Sequence, residues 1–162
     1  MENSKLQKML KAHKLWIDSN KKRGEPANFR GADLRGADFS GSDILESNFC
    51  ETDCYKAKFC ETDLRGSDLY GANLCGSNLY EANLRGSNLR GADLCGSDLC
   101  GADLCEANLY KADIRKADLR KADFCEANLH KADIRGAIIR GADFRGANLC
   151  EANIDFFDRN FA

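Results

Sequence analysis

From Ala27 to Phe156 the chain repeats every five residues without insertion or deletion, giving 26 consecutive pentapeptides in 130 of the 162 residues. Labelling the slots a to e, slot a holds 18 Ala, 6 Ser and 2 Thr, and slot b holds 14 Asp, 10 Asn, Lys58 and Ile138. Slot c holds 14 Leu, 6 Phe, 5 Ile and Cys54; slot d is mixed, led by 10 Arg, 8 Cys and 4 Tyr; slot e holds 13 Gly, 7 Glu, 5 Lys and Phe156. A period of five fits neither the helical repeat nor the two-residue alternation of a strand. Slots a and c lie two apart, so in extended backbone they share one side, one always small and the other almost always large and apolar. Slots d and e carry the glycine-rich and polar choices of a corner. The chain must extend for about three residues, turn and repeat, winding into a coil with a and c inward and b, d and e outward.

The six slot-c phenylalanines set the number of pentapeptides per coil. At a spacing of twenty they pair as Phe29 with Phe49, Phe39 with Phe59 and Phe124 with Phe144, using all six. A spacing of fifteen pairs none, and a spacing of ten omits Phe124 and Phe144. Four pentapeptides per coil stack bulky rings on bulky rings and keep the diameter locally constant. The tract then makes about 6.5 coils, roughly 31 Å long at a strand spacing of ~4.8 Å.

The repeats Ala32-Asp33-Leu34-Arg35-Gly36 and Ala82-Asn83-Leu84-Arg85-Gly86 resemble the A(D/N)LXX consensus of the pentapeptide-repeat family. The resemblance implies an all-β solenoid, a right-handed quadrilateral parallel β-helix, here with an N-terminal α-helical cap. It also implies frequent dimerisation and says little about activity. Three regions follow: residues 1–26 as capping helix and entry segment, 27–156 as the β-helix, and 157–162 as an aromatic tail.

A solenoid exposes a raw layer at each end. Leu6, Met9, Leu10, His13, Trp16 and Ile17 form one helical stripe over residues 4–17, and Ser4 with Gln7 resembles a capping box. This basic amphipathic helix could read as a membrane-surface element, but the reading taken is a lid over Phe29 and Leu34, with no membrane partner expected. At the other end Phe156, Phe157 and Phe161 either cap the last coil or make a homodimer seam, and the family resemblance favours the seam.

No apolar run approaches the ~18 residues of a membrane span, and residues 1–23 do not read as a secretory signal. With Lys plus Arg at 24 against Asp plus Glu at 26, the formal net charge is −2, which argues against direct nucleic-acid binding. The basic residues from Lys111 to Arg140 are interleaved with Asp113, Asp118, Asp123 and Asp133 and read as a solvated lattice. Only two histidines occur, carboxylates are placed by the repeat, and a periodic shaft builds no cleft. No catalytic residue and no cofactor is therefore expected. Eight of nine cysteines fall in slot d, facing outward, with no C-x-x-C spacing. Stacking sets Cys75 over Cys95 and Cys105 over Cys125, but Cys95, Cys100 and Cys105 lie on different faces. No metal site is expected, a thiol or metal-binding role is a distant alternative, and unpaired thiols suit the reducing cytoplasm.

Residues twenty apart form vertical ladders. The slot-b ladder starting at Asn28 is almost all Asn, and the slot-d ladder beside it runs Arg30, Cys50, Tyr70, Arg90, Tyr110, His130, Cys150. Arg90 between two tyrosines suits cation–π contact, so Tyr70, Arg90, Tyr110 and His130 form the candidate binding stripe for an unidentified protein partner. The first functional reading is thus a non-catalytic scaffold or protein-interaction rod. The alternative uses the ladder starting at Asp43: Asp43, Asp63, Asp103, Asp123, Asp143, Glu46, Glu106 and Glu126, offset by Arg65, Arg85 and Arg145. One branch of the family it resembles modulates DNA gyrase and is proposed to imitate B-form DNA. The acidic ladder nets −5 and the tract −6, against ~18 phosphate charges on one 31 Å stretch of duplex.

Overall fold

The structure, a computed structural model, describes residues 3–155; the aromatic tail and Phe156 lie outside the described residues. After one helix, α1 (Asn3–Asp18), the chain is a stack of short parallel bridges, each joining slot-b residues twenty apart, from Asn28–Asn48 to Asp133–Asn153. Four pentapeptides therefore make each turn of a β solenoid. The inward and outward assignment of slots a and c holds along the shaft, where slot-a and slot-c side chains are buried together in one core. The phenylalanines stack across coils: Phe39 on Phe59 at 5.1 Å and Phe124 on Phe144 at 4.9 Å, both nearly parallel, and Phe29 on Phe49 at 4.6 Å.

The composition of each slot follows from where its backbone N–H goes, since buried amides must be paired. In the repeat beginning at Ser87, the slot-b N–H of Asn88 donates to Ser67 O of the coil before, and the slot-c N–H of Leu89 donates to Asn108 O of the coil after. The slot-e N–H of Gly91 donates to Tyr110 O, and the next slot-a N–H, of Ala92, closes a turn onto Leu89 O. Only the slot-d N–H lacks a backbone acceptor. The slot-b side chain supplies one: Asn88 Oδ1 accepts from Arg90 N–H at 3.3 Å, and the same bond recurs from Asn28–Arg30 to Asn148–Cys150. Asp and Asn dominate slot b because they are the short side chains that accept from the amide two residues on.

Slot e takes a left-handed backbone whether it is glycine or not; Gly91 has φ +65° and Lys116 φ +59°. This is the third position of a turn that demands positive φ, which glycine meets without strain. Slot-a hydroxyls of Thr52 and Thr62 bond the slot-c carbonyls of Phe29 and Phe39 at 2.9 and 2.8 Å.

Helix α1 sets Leu6, Met9 and Leu10 against the core, with His13 buried beside them. Ala27 N–H donates to His13 Nδ1 at 3.0 Å, tying the helix to the first coil. Burial pushes the His13 pKa down, against the pull of Asp43 and Glu46. Ser4 lies inside the helix, which begins at Asn3, so the expected capping box is displaced from the N-terminus. Gly24, at φ +75°, passes so close to α1 that a Cβ would sit 2.2 Å from Ala12 O, which makes glycine obligatory there. No helix among the described residues is long and apolar enough to cross a membrane.

Candidate interaction surface

The slot-b residue decides what the arginine two positions on can do. Where slot b is Asp, the guanidinium folds back onto it. Arg65 pairs with Asp63 at 2.5 Å, Arg115 with Asp113 at 2.5 Å, Arg120 with Asp118 at 2.6 Å and Arg145 with Asp143 at 2.6 Å. These hydrogen bonds hold the carboxyls of Asp113, Asp118 and Asp143 below their ordinary range, and Arg35 brings Asp33 down to about 2. Where slot b is Asn, no carboxylate is offered and the arginine reaches the next coil. Arg30 turns to Glu51 and Arg85 to Glu106, each slot d to slot e across 21 residues.

Arg90 follows Asn88 and sits over the Tyr110 ring, with Cζ 5.1 Å from its centroid. Lys111 Nζ lies 5.3 Å from the same ring, and His130 stacks beneath it at 5.5 Å with planes 22° apart. Of the two tyrosines expected to flank Arg90, it is Tyr110 that makes the cation–π contact. Tyr70 instead lines a shallow groove with Glu51, Gly71, Arg90, Gly91 and Lys111, and is 42% exposed. The Asn side chains beneath link along the ladder: Asn128 Nδ2 donates to Asn108 Oδ1 at 3.2 Å and Asn148 Nδ2 to Asn128 Oδ1 at 3.4 Å. Stacking at a spacing of twenty does not single out Glu51 and Lys111. The signal that finds them is the 21-residue step from slot d to slot e of the neighbouring coil.

Half of the acidic ladder is paired. Asp63 and Asp143 hold Arg65 and Arg145, Glu106 holds Arg85, and Glu46 takes Lys21 at 2.5 Å. Asp43, Asp103, Asp123 and Glu126 have no ion pair among the described residues. Asp103 and Asp123 flank the Cys105 thiol, whose pKa is pushed up to about 12 by burial and then by these two carboxylates.

The expectation that slot-d cysteines all face outward needs correction. Cys50 and Cys105 are buried and only Cys150 is exposed, although all nine thiols are free. Cysteine is short, and its ladder neighbours are long: Arg30 and Tyr70 flank Cys50, and Arg85 leans past Cys105 to Glu106. Such thiols are inert rather than reactive.

The pentapeptide-repeat family model matches residues 27–66, 61–96, 87–124 and 127–156 in eight copies. Among solved structures the chain is similar to HetL, a pentapeptide repeat protein involved in heterocyst differentiation regulation from the cyanobacterium Nostoc. The identity is 30% over 78% of this chain and 73% of that one, with a TM-score of 0.48. It is also similar to QnrB1, a plasmid-mediated fluoroquinolone resistance protein, at 20% identity over 80% of both chains with a TM-score of 0.60, a likeness of fold. A third similar structure is a pentapeptide repeat protein from the Arabidopsis thaliana thylakoid lumen, 31% identical over 72% of this chain and 67% of that one, with a TM-score of 0.35. Among curated proteins none matches.

Proposed function

The chain belongs to the pentapeptide-repeat family, and from that premise we propose that it is a non-catalytic rod that binds a protein partner through Tyr70, Arg90, Tyr110 and His130. The observation that carries this is the allocation of Arg90. Its guanidinium rests on Tyr110 and has no carboxylate partner among the described residues, and Arg90 is exposed beside the exposed Tyr70 ring. Arg and Tyr on a rigid strip are the side chains that concentrate binding energy at interfaces. In this reading the rod is a right-handed, four-sided helix of about 6.5 coils, capped by α1, dimeric through its C-terminal end and working in the cytoplasm. The free thiols are consistent with that compartment.

The test is quantitative capture of partners by the parent and by two variants. Tyr110→Ala should lose a partner that Tyr80→Ala, an exposed tyrosine off the stripe, retains. Equal capture by both variants would sink the proposal.

A second reading, modulation of DNA gyrase by duplex mimicry, is favoured by the fold shared with QnrB1 and by Asp103 and Asp123, which hold no arginine or lysine among the described residues. It is opposed by Arg65, Arg85 and Arg145, which neutralise Asp63, Glu106 and Asp143 of that ladder. Unchanged supercoiling by gyrase at micromolar protein would remove it. An effect that disappears in an Asp103→Asn, Asp123→Asn variant would support it.

A further inference from the structure

His130, Cys150 and Glu151 come from consecutive coils. The coil register stacks His130 on Cys150, and Glu151 follows at the corner with φ +55°. His130 Nδ1 lies 2.8 Å from the Cys150 carbonyl oxygen. A carbonyl only accepts, so in the neutral ring Nδ1 carries the proton and Nε2 keeps its lone pair. Nε2 faces Glu151 Oε1 at 3.9 Å, and the His nitrogen, Cys sulfur and Glu oxygen all lie within 4.8 Å of one another.

Each donor is held from behind. The His130 ring is stacked on Tyr110, and the other Glu151 oxygen is engaged by Lys131 Nζ at 3.4 Å. The Cys150 backbone is fixed by its N–H to Asn148 Oδ1 at 3.1 Å and by Lys131 N–H on its carbonyl at 3.0 Å. Supporting contacts of this kind orient the ligands of a metal site.

We propose that these three side chains form a binding site for a divalent cation of the zinc class, with one nitrogen, one sulfur and one oxygen donor and a fourth position left to water. Bond lengths of about 2.0–2.3 Å to such an ion require donors roughly 3.3–3.8 Å apart. The side chains of Cys150 and Glu151, both exposed, need close by only about 1 Å to reach that spacing. The site shares His130 with the protein-binding stripe, but Cys150 and Glu151 lie outside those four residues, and cobalt binding is read without any protein partner, so the two readings fail separately.

The test uses the full chain, kept reduced with a phosphine, and cobalt(II) as the probe. One equivalent of cobalt should produce a thiolate-to-cobalt absorption in the near ultraviolet, displaced by one equivalent of zinc. Cys150→Ser should abolish the band, His130→Gln and Glu151→Gln should each weaken binding about tenfold or more, and Cys60→Ser should change nothing. Cobalt should also broaden the ring resonances of His130 in the parent, which needs no variant to fold. No band, a band that survives Cys150→Ser, or affinity indifferent to both other substitutions would overturn the site, as would sharp His130 resonances at saturating cobalt.

Discussion

The Asn ladder and the Asp ladder are built on one shaft from one repeat, yet they present different surfaces. On the Asp side, Asp63 with Arg65 and Asp143 with Arg145 close their charges within a single pentapeptide. Where Asn stands in slot b, Arg30, Arg85 and Arg90 reach beyond their own repeats, the first two to glutamates and the third to an aromatic ring. Arg85 belongs to the face that is otherwise acidic, so the rule follows the slot-b residue and not the face. Both Asn and Asp accept the slot-d amide equally well. The choice between them therefore turns on what else the side chain meets: Asn also donates along the ladder, as Asn88 Nδ2 does to Asp68 Oδ1 at 2.9 Å, whereas Asp holds the arginine of its own repeat.

The largest effect comes from damaging the shaft that both ladders share. Ala92 is 1% exposed in the core. An Ala92→Leu variant should lose about 1–3 kcal/mol or more in denaturant unfolding, and a melt like the parent's would refute the inward placement of slot a.

Smaller and opposite in sign is the repair of a broken repeat. Ile138 stands in slot b, 48% exposed, and cannot accept the Arg140 N–H. Ile138→Asn should raise stability by about 0.5–1.5 kcal/mol, whereas no gain would deny the acceptor role assigned to slot b.

Exchanging the two kinds of repeat sharpens the comparison. Asn88→Asp should draw Arg90 down onto its own repeat and off Tyr110, weakening a captured partner about two- to fivefold, the worth of ~0.5–1 kcal/mol. Undiminished capture with the fold intact would show that Arg90's freedom is irrelevant to binding.

The pH response is the smallest per group, because these pairs are solvent-exposed. Asp33, Asp113, Asp118 and Asp143 have folded pKa values lowered by their arginines. Their contribution is present above the unfolded value of 3.8 and is lost as pH falls from there toward about 2, where Asp33 titrates. His13, also lowered but by burial, acts higher up: stability should begin to fall as pH drops below 6.5, because only the unfolded chain takes up that proton readily. A His13→Gln variant should flatten the dependence of melting temperature on pH just below 6.5, and an unchanged slope would assign it to other groups.

The coil register was legible in the sequence because bulky rings must stack on bulky rings; six phenylalanines sufficed. The shape of the surface was less so. That slot b caps the slot-d amide requires knowing that every other amide is already used, a fact of the folded ladder. The fate of each arginine turns on side-chain reach of two residues back or 21 forward, which composition does not rank. Burial of Cys50 and Cys105 depends on which long neighbours close over a short side chain. The left-handed corner could have been read from glycine, but the Glu and Lys residues at the same slot, such as Glu106 and Lys131, mask it.

The coil register underlies every ladder, and scalar couplings across hydrogen bonds report it without assumption. In a labelled sample the amide of Leu89 should couple to the carbonyl of Asn108, and that of Asn108 to the carbonyl of Ser87. Couplings from these amides to carbonyls one pentapeptide nearer or farther along the chain would mean a different number of walls and would dissolve the stripe, the acidic ladder and the proposed metal site together.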